Sequence, residues 1–75
     1  MKTNKKEFLF NIGQKIRIER TKKGLSQEKL AELTEMSIKT LGKIERGQTD
    51  FVISNLISIA DALNVDISEL FIFTF

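Results

Sequence analysis

The sequence predicts an all-α domain, a compact bundle of five helices. Three observations support this class: apolar residues recur at helical spacing, serine or aspartate stands where helix N-caps belong, and glycine stands where two of the helices should end. The 75 residues include no proline, and no shift in composition marks a linker. We therefore expect residues 1 to 75 to form a single domain.

The first helix is expected to run from about Phe8 to Lys23. Three of its apolar residues stack at helical spacing: Leu9, Ile12 and Ile16. Gly24 follows a lysine-rich last turn and is placed as a C-cap. Residues 1 to 7 are rich in lysine and precede the apolar pattern, so we expect them to form a flexible basic tail.

Two short helices should follow. Ser26 is placed as the N-cap of the second helix, which has Leu30 and Leu33 on one face and ends near Thr34. After a turn at residues 35 and 36, Ser37 should cap a third helix that runs to Arg46 and is closed by Gly47. This predicts two helices joined by a tight turn.

The last third of the chain predicts two more helices and an apolar end. A fourth apolar stripe is formed by Ile53, Leu56, Ala60 and Leu63. Asp66 should cap a short fifth helix in the segment "DISELF". Residues 72 to 75 are expected to form an apolar C-terminal tail, although the phenylalanine-rich segment "FIFTF" is also compatible with a short strand.

Composition limits the chemistry. The chain has no cysteine and no histidine, which removes disulfides, thiolate nucleophiles, imidazole bases and nearly every zinc site. We therefore expect no catalytic residues, no metal and no cofactor. No apolar stretch is long enough to span a membrane and no signal-type core is present, so a cytoplasmic location is expected. Residues 1 to 24 carry eight Lys or Arg and two Glu, which suggests that this end faces a polyanion, although a solvated lysine-rich tail would have the same charge.

The segment "GLSQEKLAELTEMSIKTLGKIERG", residues 24 to 47, resembles the helix-turn-helix of the phage repressor and Cro family. The segment "LISIADALNVDISELF" is similar to the part that forms the last two helices of that family, so the resemblance covers about residues 10 to 71. It implies a five-helix DNA-binding domain whose third helix enters the major groove while the second lies across the phosphate backbone. Small relatives include phage and plasmid repressors and restriction-modification controller proteins.

A helical wheel of the third helix separates two faces. Leu41 and Ile44 define the buried side, and the opposite side carries Lys39, Gly42, Lys43 and Arg46. A solvated helix face has the same pattern, but the resemblance favours a DNA-facing one. Gly42 is then interpreted as a position where a missing side chain lets the helix approach DNA, with a tolerated surface glycine as the alternative.

The resemblance implies a set of DNA-binding residues and one scaffold pair. The DNA-binding residues are Gln27, Ser37, Ile38, Lys39, Thr40, Lys43 and Arg46. Gln27, in the first turn of the second helix, is expected on a phosphate, with a solvent-exposed N1 residue as the alternative. Arg20 and Glu45 are expected to form a salt bridge that ties the first helix to the third. Many relatives carry other side chains at the groove-facing positions, so no target sequence is implied.

The chain also has more apolar residues near its C-terminal end than one small core requires. We expect Phe51, Val52, Ile57, Phe71, Ile72 and Phe73 to form the interface of a homodimer, with additional core as the alternative.

The function predicted from these features is a sequence-specific, double-stranded DNA-binding transcriptional regulator, acting as a homodimeric repressor on a palindromic operator. The alternative is a protein-interaction module, such as an antitoxin-like partner that uses the apolar C-terminal surface. An enzyme is not expected, because without His or Cys the carboxylates would have to converge, and Glu28, Glu32 and Glu35 instead resemble an exposed helix face. No small-molecule effector is expected for a chain of this length.

Overall fold

The computed structural model describes residues 4 to 74, which form four α-helices and one 3-10 helix. These are α1 (Lys5–Lys22), α2 (Gln27–Thr34), α3 (Ile38–Glu45), α4 (Ile53–Leu63) and the 3-10 helix Ile67–Phe71. The described residues contain no strand, so the all-α class is confirmed. Within the same residues, no helix is both long and apolar enough to cross a membrane.

The predicted count of five helices needs one correction: four are α-helices, and the short fifth helix is a 3-10 helix of five residues. Asp66 caps it, as the sequence predicts: its side chain accepts a hydrogen bond from the Ser68 backbone N–H at 2.9 Å. The tighter i to i+3 pattern is typical of such short segments.

Helix α1 begins earlier than predicted. The Asn4 side chain accepts a hydrogen bond from the Glu7 backbone N–H at 3.0 Å, and the helix starts at Lys5. Residues 5 to 7, expected in a flexible tail, therefore form its first turn, and residues 1 to 3 lie outside the described part of the chain. At the other end, Gly24 follows the C-cap Lys23 with a φ of 72°.

Nine large side chains are fully buried and define the core: Ile12, Ile16, Leu30, Leu41, Ile44, Leu56, Ile59, Leu63 and Leu70. They come from all five elements, so every element contributes to one cluster. Two residues that the apolar pattern placed inward are exposed instead, Leu33 at 49% and Ile53 at 60%. Ala31 and Ile59 are buried on the same helices, so the inward faces are rotated from the predicted ones.

The C-terminal segment packs against the start of α1. The Phe8 ring stacks on Phe71 with centroids 6.1 Å apart and meets Phe73 edge-on at 5.6 Å. Residues 72 to 74 are neither helix nor strand, and Phe75 lies outside the described residues. Part of the predicted apolar tail therefore covers the core of its own chain.

A buried carboxylate lies on the side of α1 that faces the 3-10 helix. Glu19 is 5% exposed, and its Oε2 lies 3.3 Å from the ammonium groups of both Lys15 and Lys22. Burial alone would raise the pKa of Glu19, but the two ammonium groups outweigh burial and hold that pKa below its usual value. Lys15 also lies 3.9 Å from Glu69, which links α1 to the 3-10 helix.

Candidate nucleic-acid interface

The turn between α2 and α3 is short, and hydrogen bonds satisfy backbone N–H groups at the end of α2 and the start of α3. Glu35 adopts the left-handed conformation with a φ of 57°, and the Met36 backbone N–H donates to the Ala31 carbonyl at 3.0 Å. Ser37 then caps α3, and its Oγ accepts from the Thr40 backbone N–H at 3.0 Å. These contacts end α2 and start α3 within three residues, which fixes the angle between the two helices.

Helix α3 divides into a buried and an exposed face, as its wheel predicts. Leu41 and Ile44 are buried. The predicted groove-facing residues are all exposed: Ser37, Ile38, Lys39, Thr40, Lys43 and Arg46. The Ser37 hydroxyl donates to Thr40 Oγ1 at 2.9 Å, so the Thr40 hydroxyl retains its own proton for an outside acceptor.

Gly42 is covered by a side chain of its own helix. A Cβ added there would lie 3.0 Å from Arg46 Nη1, and its three nearest neighbours would all be atoms of the Arg46 guanidinium. Arg46 is held in this folded position because its Nε donates to Gln48 Oε1 at 2.9 Å. The space beside Gly42 is therefore occupied by Arg46, and the interpretation of Gly42 as an open point of approach needs this correction.

The two residues assigned to the scaffold form a bidentate salt bridge. Arg20 Nε donates to Glu45 Oε2 at 2.7 Å, and Arg20 Nη2 donates to Oε1 at 3.1 Å. Arg20 Nη1 also donates to the Leu25 carbonyl at 2.9 Å. Because the side chains of Arg20 and Glu45 are 13% and 3% exposed, removing one partner would leave a largely buried charge unpaired.

Gln27 belongs to the same network. Its Nε2 donates to Glu45 Oε1 at 2.9 Å, so one carboxylate joins α1, α2 and α3. This contact orients the amide with its NH₂ group toward Glu45, and the second N–H has no partner among residues 4 to 74. That N–H is available to an anion, which is compatible with the predicted phosphate contact without testing it.

The basic side chains fall into two groups. Within residues 4 to 74, five form salt bridges: Lys5, Lys15, Arg20, Lys22 and Lys29. Six have no carboxylate within 4.0 Å in this part of the chain: Lys6, Arg17, Lys23, Lys39, Lys43 and Arg46. Three of these six share the exposed face of α3, since they are spaced at i, i+4 and i+7. The exposed face of α3 is therefore a cluster of uncompensated positive charge.

The residues predicted for a dimer interface differ in exposure: some are exposed and others pack against the core of their own chain. Val52 and Ile57 are 60% and 55% exposed, and Phe71 and Ile72 are 39% and 43% exposed. Phe51 and Phe73 are half-buried and pack against the core of their own chain. The alternative of additional core therefore holds for these two residues, and the exposed apolar patch includes Ile53 instead.

Sequence analysis missed residues of α1 that lie beside α3. Lys6, Phe10 and Arg17 line recesses that also contain Arg46. Their spacing of four and seven residues places them on one helix face, which was the available indication in the sequence. It was overlooked because residues 1 to 7 were assigned to a tail.

Comparisons with known proteins identify the family. The helix-turn-helix family model HTH_3 matches residues 16 to 70. An uncharacterized HTH-type transcriptional regulator of Sinorhizobium medicae is 38% identical over 61 residues, which cover 81% of this chain and 44% of the regulator. The chain thus spans less than half the length of that relative.

Comparison with solved structures indicates the same family. The restriction-modification controller protein C.AhdI from Aeromonas hydrophila is 43% identical with a TM-score of 0.82, and the match covers 84% of this chain and 96% of C.AhdI. An HTH_3 family transcriptional regulator from Vibrio cholerae is 34% identical with a TM-score of 0.84, covering 91% of this chain and 38% of the regulator. Such regulators are not enzymes. The chain therefore belongs to the helix-turn-helix family of DNA-binding transcription regulators.

Proposed function

We propose that the protein is a sequence-specific repressor that binds a palindromic operator as a homodimer, with α3 of each subunit in the major groove. The observation that carries this proposal is the exposed face of α3, where Lys39, Lys43 and Arg46 have no carboxylate partner among the residues that the structure describes. Repression requires only that the bound protein occupy a promoter. DNA binding also favours the cytoplasmic location expected from composition.

The side chains of α3 suit base edges and phosphates. A lysine ammonium matches the O6 and N7 acceptors of guanine, and the apolar groups of Ile38 and Thr40 match a thymine methyl. Gln27 and the remaining cations suit phosphate oxygens, which position a protein without reading sequence. This division assigns specificity to α3 and much of the affinity to its surroundings.

Substitution of the two lysines tests the proposal. With a duplex selected from a random pool, we expect Lys39→Ala or Lys43→Ala to cost about 1 to 3 kcal/mol on the preferred site if the lysine contacts a base, and to relax specificity there. If the lysine instead contacts a phosphate, the affinity for every duplex sequence should fall by the same factor. Fluorescence anisotropy with the selected and a scrambled duplex measures both quantities.

Lys23→Ala is the matched control, because Lys23 is exposed, lies outside α3 and has no carboxylate partner within residues 4 to 74. It should leave the ratio of the two affinities unchanged. If both α3 variants bind like the wild type, α3 is not the DNA-contacting helix.

A second candidate function is protein interaction, which the exposed apolar residues of α4 favour. Val52, Ile53 and Ile57 are each at least 55% exposed at one end of the helix. The two functions differ in salt dependence: duplex binding by a regulator should weaken with a log-log slope of about −0.9 per phosphate neutralised, whereas a pure protein binder should show only weak, sequence-independent retention.

A further inference from the structure

Helix α1 carries a row of solvent-accessible side chains on the face that adjoins α3. The row, here called the α1 stripe, consists of Lys6, Phe10, Gln14 and Arg17. At 100° per residue these four positions fall within about 80° of one another. Ile12 and Ile16 lie on the opposite side of the helix and are fully buried. The α1 stripe is therefore distinct from the face that builds the core.

Two recesses connect the α1 stripe to α3, and Phe10 and Arg46 line both of them. The first lies at the start of α1, and its other lining residues are Asn4, Lys6, Glu7, Gly47 and Gln48. The second lies at the start of α2, and its other lining residues are Gln14, Arg17, Arg20, Gln27 and Glu45. Because Arg46 belongs to the cationic face of α3 and to both recesses, the two basic surfaces are continuous.

The charges of the second recess are unbalanced. Its one carboxylate, Glu45, already accepts hydrogen bonds from Arg20 and Gln27. Arg17 and Arg46 have no acidic partner within residues 4 to 74, and the Arg46 guanidinium donates only through Nε to Gln48. The lysines of α1 that form salt bridges do so with carboxylates outside this recess: Asp50, Glu19 and Glu69. Two cations without acidic partners, Arg17 and Arg46, therefore line the second recess, and Lys6 lines the first beside the carboxylate of Glu7.

We propose that the α1 stripe is a second DNA-contacting surface, which holds backbone phosphates next to the half-site bound by α3. This inference rests on the proposed function and extends the interface beyond the helix-turn-helix. The guanidinium of Arg17 is suited to bidentate contact with a phosphate, and Lys6 supplies a second point charge. Phe10 lies between them on the stripe and offers an apolar surface to the deoxyribose. Such contacts raise affinity for every sequence equally.

The salt dependence of duplex binding tests the proposal. We expect Arg17→Ala and Lys6→Ala each to reduce the magnitude of the log-log salt slope by about 0.9, the value for one lost phosphate contact. The dissociation constants for the selected and scrambled duplexes should rise by the same factor. Arg17→Lys should recover most of the slope because it retains the charge. Circular dichroism checks that each variant is folded.

Lys23→Ala is again the control, since Lys23 is the C-cap of α1 and has no carboxylate within 4.0 Å among residues 4 to 74. When the helical rotation is continued to residue 23, it lies about 140° from the centre of the α1 stripe. An equal change of slope in this variant would mean that only net charge matters, and it would overturn the proposal. Unchanged slopes in Arg17→Ala and Lys6→Ala, with duplex affinity still reduced in Lys43→Ala, would overturn it while leaving the proposed function intact. Absence of duplex binding by the wild type would instead refute the proposed function.

Inorganic phosphate distinguishes DNA backbone from a free anion. At constant ionic strength, the proposal predicts no difference between wild type and Arg17→Ala in the effect of phosphate on the melting temperature. A rise confined to the wild type, combined with equal salt slopes for DNA, would assign the recess to a free anion and contradict the proposal.

Discussion

Gly13 and Gly42 differ in how much room a side chain would have. A Cβ on Gly13 would lie 2.5 Å from the Ile44 carbonyl oxygen and still closer to that of Glu45, so α1 can approach α3 only because residue 13 has no side chain. A Cβ on Gly42 would have the flexible end of the Arg46 side chain as its nearest neighbour, at 3.0 Å. The same substitution should therefore have different consequences at the two sites.

We predict that Gly13→Ala destabilises the domain by about 1 to 3 kcal/mol or more, because two backbone segments would have to separate. Gly42→Ala should be neutral or stabilising by up to roughly 1 kcal/mol, since alanine favours the helix and Arg46 can move aside. Urea unfolding followed by circular dichroism measures both effects.

The two substitutions also control for each other, because each adds one methyl group inside a helix. Destabilisation of Gly42→Ala as large as that of Gly13→Ala would show that Arg46 is held rigidly by Gln48. A stable Gly13→Ala variant would mean that α1 and α3 can separate at little cost.

At the scale of elements, helix ends were predictable where local chemistry marks them. Helices α2 and α3 follow Ser26 and Ser37, and both serine side chains accept a backbone N–H as predicted. The start of α1 was missed because Asn4 precedes a polar first turn without apolar residues. Helix α4 has no side-chain cap hydrogen bond at Val52. Its inward face was misplaced because the four apolar residues among its first seven are all isoleucine or leucine, so residue type alone does not separate the buried ones from the exposed ones.

The candidate site was predictable only in part. The wheel of α3 identifies which residues are exposed, since exposure follows from helix periodicity. It does not show that Arg46 folds over Gly42 or that Gln27 bonds to Glu45, because those contacts depend on neighbours from other segments. The importance of Gly13 was missed for the same reason.

The 3-10 helix should be sensitive to acid through its cap. The hydrogen bond from the Ser68 backbone N–H lowers the pKa of Asp66. A lowered pKa in the folded state gives stability that is present above the unfolded pKa and is lost as the pH falls through the folded pKa. We predict that wild type is more stable than Asp66→Asn at pH 7 and that this difference shrinks in the acidic range below the usual aspartate pKa.

Thermal unfolding of wild type and Asp66→Asn at a series of pH values measures the difference in their stability. The contributions of the other carboxylates cancel in this difference because both proteins contain them. Asp61→Asn is the control, since Asp61 is exposed on α4 and makes no side-chain hydrogen bond within the described residues. A difference for Asp66→Asn that is independent of pH would contradict the prediction.

At the scale of the whole molecule, the exposed apolar patch of α4 is the proposed dimer contact. We predict that the wild type sediments as a dimer at micromolar concentration and that Ile57→Glu sediments as a folded monomer, because a charge in a symmetric interface is buried twice. Binding should favour half-sites whose centres are about 10 to 10.5 base pairs apart, and inserting half a helical turn should weaken it sharply.

Ile18→Glu serves as the control, because Ile18 is an exposed apolar residue of α1 and should not affect association. A dimeric Ile57→Glu variant would move the interface away from α4. A monomeric wild type that binds every spacing equally would rule out the homodimer.

The contact between Phe8 and the phenylalanines at 71 and 73 also has a consequence for the order of folding. These rings are separated by more than sixty residues along the chain, and Leu70 beside them is fully buried. Contacts between distant segments form late, because a long loop must close first. During synthesis, the first helix therefore cannot complete its packing until the segment from residue 70 to residue 73 has left the ribosome.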